Sequence, residues 1–357
     1  MNATQNRAEE LCSKIQVVGQ EIRRVIVGME EPIESVLLAL VAGGHLLLQG
    51  PFGLAKTKLS SAMAHACTLT FGRVQGQPGT TPEDILGHYL PRREGREGEY
   101  TLEFYRGPVF SNVLLTDELN RISTKGQAGY IEPMEEHRVT TPYGGERLRL
   151  PKPFFHFATQ NVHEIGSGTF PLLGAVNDRF QSMVEVVYPT EEEENRIGLQ
   201  DDEEPKLAEL KQHLTADEII ETWKVLAEKY PSRDQIKTMA YIVRLVRATR
   251  PNPKEQRQIL AEHVPSSEEE GPFFLHEAVE VGAGPRAVKH LFRMARAHAF
   301  LSGDSVLTPQ HVTHVAQRVL AHRTIISHLA RARGMSSRNV VDSLLATVPE
   351  KLHTIPR

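Results

Sequence analysis

The chain has 357 residues, enough for a sizeable core and two domains, and an ordinary globular balance of 40% hydrophobic and 24% charged residues. A net charge of −4 leaves no chain-wide cationic footprint for nucleic acid. The polar start from Met1 to Glu10, the absence of an apolar run near the ~20 residues of a membrane span, two cysteines (Cys12 and Cys67) without metal or redox spacing, and 16 histidines without an H-E-x-x-H pair together predict a cytoplasmic, disulfide-free chain with no zinc motif of that kind.

Leu11 to Val27 predicts an amphipathic helix, with Leu11, Ile15, Val18 and Ile22 near helical spacing. Gly28 ends it, and Pro32 suits the first turn of a second helix running to Gly43-Gly44. Next comes an apolar run, Leu46 to Leu48, that ends at Gln49. The loop Gly50-Pro51-Phe52-Gly53-Leu54-Ala55-Lys56-Thr57 follows and leads into a small-residue helix over Leu59–Cys67. Strand, Gly-rich turn and helix in this order form a phosphate cradle: backbone N–H groups and the helix N-terminus face an anion. Lys56 would neutralise β- and γ-phosphate charge, and Thr57 would offer a hydroxyl to Mg²⁺. Ala55 stands where the motif has a second Gly, and it fits there if its φ stays negative.

Phe71 to Gln75 predicts a short strand. Gly79 to Gly107 reads as a projecting, hairpin-like excursion, rich in turn residues and electrically balanced, with Arg92, Arg93, Arg96 and Arg106 against Glu94, Glu97, Glu99 and Glu103. Val113-Leu114-Leu115-Thr116-Asp117-Glu118 reads as a parallel strand buried on both faces. It ends in two acids where open α/β sheets place ligands. Asp117 would hold Mg²⁺ through a water and Glu118 would orient or deprotonate a water; the bland alternative is an acidic helix start. Val139-Thr140 and Leu148–Leu150 flank Gly144-Gly145 as a second, mildly basic hairpin. Phe154 to Asn161 is a further buried strand, and Met183 to Val187 the last.

After Pro189 come the acidic runs Glu191–Glu194 and Asp201–Glu204, and from Leu214 the patterns are helical. Ile236, Met239, Val243 and Val246 share a face of a helix stopped by Pro251 and Pro253. Val288, Leu291, Phe292, Ala295 and Ala299 form another stripe, and Thr308-Pro309 starts a third helix with Val312, Val315, Ala316 and Val319 inward. The predicted organisation is a three-layer α/β domain over residues 1–190, a connection over 191–235 and a small all-helical domain over 236–357.

Several stretches in fixed order resemble the AAA+ ATPases of the MoxR family over nearly the whole chain: Gly107-Pro108-Val109-Phe110, Leu114 to Arg121, Met134 to Thr140, Ala158-Thr159-Gln160-Asn161, Phe170-Pro171-Leu172 with Asp178-Arg179-Phe180, and Gly282 to Ala287. The resemblance implies a P-loop three-layer AAA+ core with a parallel sheet, followed by a smaller all-α lid domain. It implies ATP and Mg²⁺, with Gly50 to Thr57 as Walker A and Asp117-Glu118 as Walker B. It makes Asn161 sensor 1, Arg179 the arginine finger acting from a neighbouring subunit, and Arg286 sensor 2, and it sets Val27-Gly28 beside adenine. Residues 79–107 match the helix-2 insert and 138–153 the pre-sensor hairpin, both facing the pore of a ring; Arg121 would lie near the subunit interface.

The implied activity is ATP hydrolysis by a homo-hexameric ring that remodels or activates a protein partner, often one with a von Willebrand factor A domain. A nucleic-acid translocase is the competing motor, disfavoured by the balanced insert, and a non-hydrolysing scaffold is the other alternative. The departures from the family pattern are Pro51-Phe52 in the loop, Gly129 and Pro133 within a helix, Val162 after Asn161, and Leu173–Asn177 before the finger.

Overall fold

The computed structural model describes residues 3–94, 99–141, 145–161, 168–199, 207–252 and 275–348. Arg96 and Glu97, Gly144, Val162, Asp201–Glu204, Pro253 and the acidic stretch Glu268–Gly271 lie outside the described residues. The chain divides into two compact units. One holds Ser13–Phe180 and Val184–Glu221; the other holds Met1–Cys12, Gln181–Met183 and Thr222–Arg357.

The first unit is built on strands β1 (Leu46–Gln49), β2 (Phe71–Gln75), β5 (Val113–Asp117), β8 (Phe155–Gln160) and β9 (Ser182–Glu185), in the order β2-β5-β8-β1-β9. The pairs β2–β5, β5–β8 and β8–β1 are parallel. Every residue of β5 and β8 is buried, so apolar side chains occupy both faces of each strand and polar ones gather toward their ends. Burying each of Val113, Leu114 and Leu115 contributes about 2 kcal/mol. Strand β2 sits at the sheet edge and buries only Val74.

Helices α2 (Glu30–Ala42) and α3 (Lys56–Ala66) pack on the sheet, and α1 (Ala3–Val25) precedes them in the chain. Helix α1 starts eight residues before the predicted Leu11, because Ala3 to Glu10 is rich in good helix formers yet carries little apolar pattern. Gly28 breaks the chain between α1 and α2 at φ +69°. Two hairpins leave the sheet. The larger pairs β3 (Gly87–Glu94) with β4 (Glu99–Arg106) in antiparallel register, Gly87 opposite Arg106, with Arg92 bonded across to Glu103 at 2.9 Å. The smaller pairs β6 (Arg138–Thr140) with β7 (Arg147–Arg149). Gly129 and Pro133 fall where the helical segment between β5 and β6 breaks into short pieces, Thr124–Gln127, Ala128–Tyr130 and Ile131–Glu136.

Beyond Gln181–Met183, the described regular structure of the second unit is helical with one small antiparallel pair, β10 (Val279–Val281) with β11 (Ile325–Ile326). Its main helices are Ile236–Ala248, Pro285–Leu301, Pro309–Leu320 and Ser337–Thr347. Thr308 and Ser336 cap the last two through capping boxes. The first of these helices does not bury the expected face. Ile236 is 70% exposed and Met239 and Val243 are half-buried, while Thr238, Tyr241, Ile242, Leu245 and Val246 point inward. The reason is polar. Tyr241 bonds Thr313 at 3.2 Å and Thr238 donates to the Leu307 carbonyl, so two residues that an aliphatic count omits define the face. Among the described residues no helix is long and apolar enough to cross a membrane.

Candidate functional site

The loop Gly50–Ala55 leaves the carboxyl end of β1 and enters α3 at Lys56. It starts against β9's continuation: a Cβ on Gly50 would sit 2.3 Å from the Val186 carbonyl oxygen, so only glycine fits there. The Lys56 ammonium donates to the Gly50 carbonyl at 2.7 Å and the Pro51 carbonyl at 2.5 Å. Lys56 is buried. Desolvation pulls its pKa below the ordinary lysine value, and the negative Asp117 and Glu118 act in the opposite direction. Ala55 departs from the expectation. Its φ is +48°, in the left-handed region, and it is the N-cap of α3 with no side-chain cap bond.

Two cavities flank this loop. A polar cleft of about 340 Å³ is lined by Phe52 to Thr57, Arg73, Gln75, Asp117, Glu118 and Thr159 to Asn161. An apolar pocket of about 200 Å³ is lined by Val25 to Val27, Met29, Gly53 to Ala55, Lys58, Val187, Pro189 and Ile197. Gly53, Leu54 and Ala55 line both. Gly28 adjoins the apolar pocket through Val27, and a Cβ there would meet the Glu193 carboxylate. Phe52 stands at the rim, 73% exposed.

The sheet register explains the cleft. Gln75 of β2 lies opposite Asp117 of β5, and Arg73, two residues earlier, shares its face. Thr159 of β8 flanks Asp117 on the other side, one step beyond the Thr116–Ala158 pair. Asp117 Oδ2 accepts from the Thr57 hydroxyl at 2.8 Å and from Arg73 Nη2 at 2.8 Å, while Oδ1 accepts from the Thr159 hydroxyl at 2.9 Å. Glu118 takes φ +55°, and its backbone N–H donates to Thr159 Oγ1. Gly76 makes room for that turn, since a Cβ there would lie 2.3 Å from the Glu118 carbonyl. The Glu118 carboxylate meets Arg121 at 2.9 Å and Gln75 at 3.3 Å. Asn161 is buried at the end of β8, its carbonyl held by Asn120.

The structure therefore brings together the whole loop, Val27, Asp117, Glu118 and Asn161. Arg179 lines neither cavity. Its Nε lies 3.2 Å from Glu135 Oε2, and its Nη1 donates to Ala175 at 2.6 Å. Arg286 belongs to the helical unit, in the first turn of Pro285–Leu301. The sequence does not reveal Arg73, or that the Thr159 hydroxyl is bonded to Asp117. Thr159 belongs to the polar end of β8 that the sequence points at a γ-phosphate but carries no role of its own there, and an arginine on an edge strand has no signal until the register sets it beside Asp117.

The profile described as "ATPase family associated with various cellular activities (AAA)" matches residues 45–182, and that of an AAA lid domain matches 274–344. The chain is 33% identical to Chaperone MoxR1 of Mycobacterium tuberculosis, over 98% of this chain and 88% of that one. It is 28% identical to Protein MoxR of Methylorubrum extorquens, covering 92% and 93%. A crystal structure of a candidate ATPase from Cytophaga hutchinsonii superposes with a TM-score of 0.81 at 29% identity, over 97% of this chain and 98% of that one.

Proposed function

The chain belongs to the MoxR family of AAA+ ATPases, and on that premise we propose that it hydrolyses ATP with Mg²⁺ and spends the cycle on remodelling a protein partner. One observation carries the reading: a single loop divides an apolar pocket from a polar cleft. The adenine ring fits the first, beside Val27 and Gly28, and the triphosphate crosses the loop into the second. The Thr57 hydroxyl and Asp117 Oδ2, hard oxygen donors 2.8 Å apart, fit Mg²⁺. When bound, the ion supplies charge neutralisation between the β- and γ-phosphates.

The chain's own groups supply the rest. Lys56 lies against two loop carbonyls, and it turns to the phosphates when they enter. Glu118, steadied by Arg121 and Gln75, orients the attacking water and takes its proton. Asn161 places a polar side chain where the γ-phosphate ends. Arg286 and Arg179 act as sensor 2 and as the finger from an adjoining subunit of a homo-hexameric ring. The partner is a protein, in keeping with the chaperone name of the mycobacterial relative, and a von Willebrand factor A domain protein is the favoured class.

The Glu118→Gln variant tests the reading. It is expected to retain a fluorescent ATP analogue while steady-state hydrolysis falls on the order of 10²–10⁴-fold. Undiminished phosphate release would overturn the assignment.

A further inference from the structure

The most unexpected group in the cleft is Arg73. Its guanidinium lies 2.8 Å from Asp117 Oδ2, the oxygen that also accepts the Thr57 hydroxyl, and it bonds Gln75 Oε1 at 2.7 Å. The other Asp117 oxygen is engaged by Thr159. Both oxygens of a buried carboxylate are thus engaged, and the one charged donor among them is Arg73. Half of the Arg73 side chain is exposed, so it has solvent to swing into, whereas Asp117 is fixed between β2 and β8.

We propose that Arg73 is a positioning residue that serves as an internal stand-in cation for the Asp117–Thr57 pair, holding it in shape without Mg²⁺ and yielding the Oδ2 position when the ion arrives. The proposal rests on the nucleotide-site reading above. Its physical basis is competition. A dication reaching Oδ2 must displace a guanidinium from the same lone pairs, so the ion pair is lost on loading and lowers the apparent metal affinity. The same pair screens Asp117 from incoming phosphates, so nucleotide binds even before metal does. Arg73 therefore sets how strongly nucleotide affinity depends on metal. A cation placed there only to staple β2 to β5 would do none of this, because the strands are already joined in register from Phe71–Val113 to Gln75–Asp117.

The experiment compares the full chain with Arg73→Gln and Arg73→Lys. Fluorescent ATP analogue is titrated in EDTA and in Mg²⁺, and Mn²⁺ binding to the ATP complex is followed by electron paramagnetic resonance. For Arg73→Gln, Mn²⁺ affinity is expected to rise about five-fold, and analogue affinity in EDTA to fall by a similar factor. Arg73→Lys, which keeps a cation within reach of Oδ2, is expected to stay within about two-fold of wild type in both. Unchanged or weaker Mn²⁺ binding in Arg73→Gln, with analogue binding in Mg²⁺ intact, overturns the stand-in role alone. Failure of the wild-type chain itself to bind the analogue overturns the nucleotide reading, and the Arg73 role with it. Thermal melting of both variants separates these outcomes from misfolding. Half of the Arg73 side chain is exposed, and if Arg73→Gln unfolds, Arg73→Met, which likewise removes the charge, is carried through the same two titrations with the same expected shifts.

Discussion

Ala55 carries a strained backbone at the point where both cavities meet. An L-residue in the left-handed region costs about 1–2 kcal/mol, and Ala is also among the poorest N-caps, although its carbonyl accepts the first helical bond from Leu59. Glycine removes the Cβ clash but loses about 0.5–1 kcal/mol more chain entropy on folding. The balance predicts that Ala55→Gly stabilises the α/β unit by up to about 1 kcal/mol, read as a higher urea midpoint at unchanged slope. A midpoint equal to or below wild type would show that the loop relaxes its φ in solution. The sequence motif marks this position as anomalous, but the conformation itself is a property of the loop's exit into α3, which no spacing rule reports.

The two faces of β5 near its end do different work. Asp117 faces the cleft; Thr116 faces a buried polar layer in which its hydroxyl meets Tyr130 Oη at 3.0 Å and His156 Nε2 at 2.9 Å. His156 stacks on Tyr130 with 4.6 Å between ring centroids, and its backbone N–H donates to His45 Nδ1. Complete burial, with the nearby charge of His45 as a lesser cause, holds His156 far below the ordinary 6.5. The folded state therefore keeps it neutral while the unfolded chain takes up a proton below about pH 6.5. Above that pH both states are neutral and the group is silent; below it, stability falls by up to about 1.4 kcal/mol per pH unit. His156→Leu should flatten this acid limb, measured as urea midpoints at pH 7.5 and 5.5, whatever it costs at neutral pH. An equally steep limb in the variant would assign the effect elsewhere.

Elements of this kind were unevenly legible. Strands β5 and β8 announce themselves because burial on both faces fills each with apolar side chains, and their polar ends fall at the sheet's carboxyl edge. The loop Gly50–Thr57 and the acids Asp117 and Glu118 are local motifs and read directly. The face of Ile236–Ala248 was not legible, since Tyr241 and Thr238 bury themselves through hydrogen bonds rather than hydrophobicity. The Arg73–Asp117 contact depends on residues 44 apart meeting through strand register, a relation absent from either segment alone.

At the scale of the molecule, the question is whether one chain holds a complete site. Among the described residues the cleft is lined by two cations, Lys56 and Arg73, while Arg179 is held by Glu135 and by the carbonyl of Ala175. Ala175 lies in the short helix Gly174–Asn177, just before Arg179. That helix offers the carbonyl that holds the Arg179 guanidinium, and the Arg179 side chain is 15% exposed. A finger that completes a neighbour's site makes turnover depend on assembly, and supplying such a charge accelerates hydrolysis on the order of 10³–10⁵-fold in other systems. Arg179→Ala should therefore keep analogue binding and lose hydrolysis by about 10³-fold. Mixed at equal amounts with Glu118→Gln, it should recover activity: an interface that combines an intact Glu118 with a neighbour's intact Arg179 forms at about one junction in four by random assembly. Phosphate release from the mixture, against silence from either variant alone, is the measurement. A silent mixture in which native mass spectrometry shows both variants in one ring would place Arg179 within its own subunit's chemistry and remove the physical link between assembly and turnover.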